Sequence, residues 1–77
     1  MTTAIILLNT DPGKDQKVAQ ELKKIEGVEG VCLVSGLYDV VATVRDKSSE
    51  EILKTVYHKI RPLAGVRSSH SMFRLEV

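Results

Sequence analysis

Apolar and polar positions along the chain change period four times, and each change marks an element. Thr3-Ala4-Ile5-Ile6-Leu7-Leu8-Asn9 is a short apolar run with two β-branched isoleucines, closed by polar turn residues. This predicts a strand covered on both faces. Asp11-Pro12-Gly13 breaks it, with Asp11 placed to cap a helix whose first position is Pro12. Val18, Ala19, Leu22 and Ile25 then share one helical stripe, while Lys14, Lys17, Gln20, Glu21, Lys23 and Lys24 take the opposite side. Gly27 is the natural stop. Val31-Cys32-Leu33-Val34-Ser35 and Val40-Val41-Ala42-Thr43-Val44-Arg45 are two strands close enough in sequence to form an antiparallel hairpin. Ser48 and Glu51 have capping-box spacing at the head of a second helix, whose stripe is Ile52, Leu53, Val56, Tyr57 and Ile60. Pro62 ends that helix, because the residue before proline resists the α region. Gly65-Val66 opens a last strand reaching Val77.

The order is β-α-β-β-α-β. With right-handed crossovers it gives a ferredoxin-like α+β fold: an antiparallel four-stranded sheet with both helices on one face. The helices leave the other face uncovered, yet the strands are apolar in both parities. Ile5 and Leu7 stand against Ile6 and Leu8, Cys32 and Val34 against Val31 and Leu33, Val41 against Val40 and Val44. A sheet with one wet face alternates apolar and polar residues. The second face is therefore expected to meet the same face of another copy, making the protein dimeric through its sheets.

Length supports that expectation. Seventy-seven residues make one domain, spanning 1–77, and a domain of this size buries roughly 60% of its unfolded surface, which leaves its own core marginal. Eleven basic and 10 acidic residues nearly cancel, so no basic footprint marks a nucleic-acid or anionic membrane surface. One Phe, two Tyr and no Trp leave little to stack on bases. A single cysteine forms no intrachain disulfide, and Ala4–Leu8 is too short for a span or a signal core, so the expected location is the cytoplasm.

Catalytic and metal-binding constellations are scarce. No His-x-x-x-His or Cys-x-x-Cys pair occurs, and no metal or other cofactor is expected. Asp11-Pro12-Gly13-Lys14 has one glycine where a phosphate loop needs more. Cys32 reads as a buried, inert thiol, and His58 as a helix histidine beside the apolar stripe. His70 reads as a packing or interface residue, flanked by Ser69 and Ser71. The informative segment is Gly36-Leu37-Tyr38-Asp39. Gly36 suits the hairpin turn, but Asp39 sits where the next strand begins. It can cap backbone amides. It can also take the ammonium of a small zwitterion whose carboxylate meets exposed amides. Ser69 and Ser71 alternate onto one strand face and are candidates to complete that pocket.

Gly30-Val31, Gly36-Leu37-Tyr38-Asp39-Val40-Val41, Gly65-Val66 and Ser69-His70-Ser71, in this order and spacing, resemble the effector-binding (RAM) domain of the Lrp/AsnC family over essentially the whole chain. The resemblance implies a non-enzymatic regulatory module that binds a free amino acid at contacts between dimers. It implies sheet-to-sheet homodimers associating further, often as a ring of four dimers. Ligand-binding positions carried over are Gly36, Tyr38 and Asp39 on the turn, with Ser69 and Ser71 in the last strand. Ala64 stands where the family usually has proline, and serines stand where threonine is common. The family's helix-turn-helix domain is absent from these 77 residues, so a stand-alone module is expected. It would bind no DNA directly and would act through a full-length Lrp/AsnC regulator or a metabolic enzyme. The alternative is a small dimeric enzyme of the α+β-barrel monooxygenase kind. That reading requires a buried polar pocket, for which the sequence offers only His70.

Overall fold

A computed structural model describes residues 1–77. The elements are β1 (Thr2–Thr10), α1 (Asp15–Leu22), β2 (Val28–Leu33), β3 (Val40–Asp46), α2 (Ser49–Thr55) running into a π-helical turn (Val56–Ile60), and β4 (Val66–Phe73). The strands form one antiparallel sheet in the order β2-β3-β1-β4, which is the ferredoxin-like arrangement.

Both helices pack on one sheet face. Ala4, Ile6 and Leu8 of β1 and Val40, Ala42 and Val44 of β3 meet Val18, Ala19 and Leu22 of α1 and Ile52, Val56 and Ile60 of the second helix. These 12 residues are the core, and eight of the large ones are fully buried. The β1–β3 register places Ala4 opposite Val44, Ile6 opposite Ala42 and Leu8 opposite Val40, so one parity supplies the whole sheet side. The other parity, including Ile5, Leu7, Val41 and Cys32, lies on the face away from the helices.

Several boundaries differ from the sequence pattern, each for a local reason. The first helix begins at Asp15, not Pro12. Gly13 takes φ +77° and the Lys14 amide donates to the Asp11 carbonyl at 3.0 Å, so Asp11–Lys14 closes as a turn before the helix starts. Asp11 makes no side-chain cap there. β2 starts earlier, at Val28, with a register shift between Val28 and Gly30. In the second helix only Ile52, Val56 and Ile60 are buried; Leu53 and Tyr57 stay exposed at 48% and 63%. Arg61 keeps α-region dihedrals despite preceding Pro62, and its amide reaches the Val56 carbonyl in an i→i+5 bond of 2.8 Å. That widened turn ends the helix in place of a break at the proline. β4 stops at Phe73 and does not reach Val77. Phe73 pairs with Ala4, and the Arg74 amide donates to the Thr3 carbonyl just beyond the strand's end. Cys32 is exposed on the uncovered sheet face of the protomer, not buried as its apolar strand suggested.

The Ser48 cap forms as its spacing predicts: the hydroxyl accepts the Glu51 amide at 3.2 Å. Ser48→Ala leaves that amide without a side-chain partner. The expected loss is about 1 kcal/mol, a fall of roughly 4–8 °C in melting temperature for a domain of this size. Differential scanning calorimetry of the two forms checks it.

Candidate functional site

The Gly36–Asp39 turn joins β2 to β3 at one end of the sheet. Gly36 adopts φ +118°, a conformation that L side chains rarely adopt, and open space surrounds the position where a Cβ would sit. The glycine is therefore required by conformation and not by a close neighbour. Asp39 anchors the turn. Its amide donates to the Leu8 carbonyl and its carbonyl accepts from Val34, both at 2.9 Å. Between these anchors, the amides of Gly36, Leu37 and Tyr38 make no backbone hydrogen bond. Three donors are thus available next to a carboxylate.

The carboxylate has a structural role of its own. Its Oδ2 accepts the Thr10 amide at 2.8 Å and lies 3.4 Å from the Thr10 hydroxyl. Thr10 is buried and sits where the β1–β4 register shifts. Asp39 therefore supplies an acceptor to an amide that lies beyond the last β1–β3 pair, Leu8 with Val40. Oδ2 holds the end of β1, as the amide-capping reading of Asp39 has it. The carboxylate borders a recess of about 320 Å³ whose other walls are Asn9, Thr10, Arg67 and Ser68, with no hydrophobic residue among them. Asn9 Nδ2 donates to Ser68 Oγ at 3.2 Å, and Arg67 Nε stands 3.8 Å from Asp11 Oδ1.

The structure does not bring the five sequence-predicted residues together in one protomer. Tyr38 turns toward the uncovered sheet face, its ring edge-on to His70 with centroids 5.6 Å apart. Ser69 pairs with Leu8 and Ser71 with Ile6, so both serines share the helix side of the sheet. They line a different cavity, a groove of about 470 Å³ bordered by Leu53, Tyr57, His58 and Arg61. The alternation of the serines onto one face was legible in the sequence. Which face they took depended on the β1–β4 register. Asn9, Thr10, Arg67 and Ser68 were missed, because nothing local in the sequence places them beside Asp39.

Both histidines are exposed, and no three His, Cys, Asp or Glu side chains are grouped to hold a metal ion. No helix is long and apolar enough to cross a membrane.

These features define a small ferredoxin-like α+β domain with a polar recess at the end of its sheet. The chain belongs to the Lrp/AsnC family: the family's ligand binding domain matches residues 3–77. An HTH-type transcriptional regulator of Pyrococcus furiosus is 40% identical over 74 residues, covering 92% of this chain and 49% of the regulator. LysM of Sulfurisphaera tokodaii, also an HTH-type transcriptional regulator, is 36% identical over 75 residues, covering 96% of this chain and 53% of LysM. The chain spans about half the length of the curated relatives it matches. Among solved structures, TTHA0845 from Thermus thermophilus superposes with TM-score 0.93 at 30% identity, covering 100% of this chain and 96% of that one.

Proposed function

We propose that this chain is an oligomerising module that binds a free amino acid and thereby modulates a transcription regulator of its own family. The observation that carries this reading is the turn: three unpartnered amides at Gly36, Leu37 and Tyr38 beside the Asp39 carboxylate. Free amides suit a carboxylate, and a carboxylate bordering an open recess suits an ammonium. An α-amino acid carries both groups a few ångströms apart. A transcriptional regulator of Neisseria meningitidis crystallised in complex with L-methionine has the same fold, with TM-score 0.85 at 18% identity.

The site is shared between copies. The turn and the Ser69–Ser71 pair lie on opposite sides of one sheet, so a ligand touching both needs the serines of a neighbouring protomer. Binding then couples to assembly, because the ligand contacts two chains at once. The uncovered face, with Ile5, Leu7, Val41 and Cys32, supplies the sheet-to-sheet contact. The same contact gives a route to a full-length regulator, through co-assembly.

A thermal-shift screen with the 20 common amino acids tests the reading. A ligand at a hundred times its Kd adds about 2.7 kcal/mol to the folded state. For a domain this size that corresponds to a rise of roughly ten degrees or more in melting temperature. At least one amino acid is expected to produce it. No shift with any of them at millimolar concentration would overturn the proposal.

A further inference from the structure

The irregular pairing of β1 with β4 aims a cation at the candidate site. Asn9 pairs with Ser68 and Thr10 pairs with Val66, so Arg67 is the extra residue of a bulge with no partner across the ladder. A bulge re-aims the side chain it carries. Here that side chain joins Asp39 on the wall of the all-polar recess. Its only ion-pair partner is Asp11, with Nε to Oδ1 at 3.8 Å, and both side chains are more than half exposed. Such a loose, solvated pair contributes little and is easily exchanged for a better one. The guanidinium fork remains available for a bidentate carboxylate.

We infer that the recess selects an amino acid with a second carboxylate, aspartate or glutamate, and that Arg67 is the residue that reads it. The inference rests on the amino-acid reading above and assigns the ligand's side chain. Within that reading, the turn amides take the α-carboxylate and Asp39 takes the ammonium. The recess beyond Asp39 is then left for the side chain. It offers Arg67, the Ser68 hydroxyl and the Asn9 amide, and no hydrophobic residue. A leucine or methionine side chain would enter a cavity that removes water from polar groups without replacing their hydrogen bonds. A side-chain carboxylate meets a cation and hydrogen-bonding neighbours.

The test compares near-isosteric ligands by calorimetric titration: L-glutamate against L-glutamine, and L-aspartate against L-asparagine, with L-leucine as the apolar control. The expected result is that one acid binds the unaltered protein about tenfold or more tightly than its amide, since a bidentate charge-assisted contact replaces a neutral one. Arg67→Gln is expected to erase that preference while leaving the affinity for the amide within about twofold. The ratio of acid to amide is the diagnostic quantity, because a purely structural role of Arg67 would change both affinities together. Amide or leucine binding as tightly as the acid would overturn this inference alone, as would an Arg67→Gln protein that keeps the preference. Binding of no amino acid at all would overturn both this inference and the amino-acid reading beneath it.

Discussion

Val41→Asp is expected to convert the protein from a dimer, or a multiple of one, into a monomer. Val41 lies on a central strand, opposite Leu7 of β1 on one side and Cys32 of β2 on the other. All three share the face that the helices leave uncovered. In a lone protomer an aspartate there meets water and costs the fold little. Under a second sheet it is a buried charge without a partner. Taking about 2 kcal/mol or more for each site, twofold symmetry doubles the cost to about 4 kcal/mol, close to a thousandfold in dimer affinity. Sedimentation of both proteins at micromolar concentration reads the result. The unaltered chain should sediment as a dimer or larger, and the variant near the 8.5 kDa of one chain. Circular dichroism should show that the variant keeps its helices and strands. A variant that remains dimeric would move the interface away from this face. An unaltered protein that is monomeric would remove the interface altogether.

The second large effect is expected at Asp39, where two substitutions separate architecture from binding. Asp39→Asn keeps an oxygen that can accept the Thr10 amide, now 2.8 Å from Oδ2. Turn geometry, oligomeric state and most of the stability should survive. The negative charge is lost, and with it the partner for a ligand's ammonium. Removing one member of a buried charged pair costs about 2–5 kcal/mol of binding, so affinity for the amino acid should fall roughly thirtyfold or more. Asp39→Ala removes the acceptor as well. It leaves the buried Thr10 amide without its partner, at about 1–3 kcal/mol of stability. The expected pattern is an Asn variant that folds like the parent and binds poorly, and an Ala variant that also melts earlier. Titration calorimetry and thermal melts of the three proteins decide it. Unchanged affinity in the Asn variant would place the ligand elsewhere. Parallel loss of stability and binding in the Asn variant would reduce Asp39 to its hairpin role.

Much of the fold was legible because its determinants are local. The change from period 2 to period 3.6 between Leu8 and Val18, and back again at Val31, is visible in any short window and yields the element order. The Ser48–Glu51 cap is a four-residue device and forms as its spacing predicts. The double apolar parity of the strands was readable as well, and it puts Ile5, Leu7, Val41 and Cys32 on the face the helices leave uncovered. The need for glycine at the turn was readable too, and Gly36 takes φ +118° there. The helix boundaries were less so. Whether Pro12 begins a helix or sits in a turn was decided by Gly13 at φ +77°. Leu53 and Tyr57 fit the apolar stripe by spacing, but the way the second helix lies on the sheet buries Ile52, Val56 and Ile60 instead.

What the sequence determined by itself is the set of elements, the parity of each strand and the residue types at the turn, all consequences of bond geometry over a few residues. What only the tertiary structure decided is which parities meet. Asn9 and Ser68 are 59 positions apart, and their pairing fixes the side of the sheet on which Ser69 and Ser71 fall. One extra residue in that ladder, Arg67, changes the register and brings a cation to the same recess as Asp39. Side chains alternate with period 2, so a shift of one residue exchanges the two faces. No local pattern records such a shift, because it belongs to the pairing of two strands and to neither strand alone.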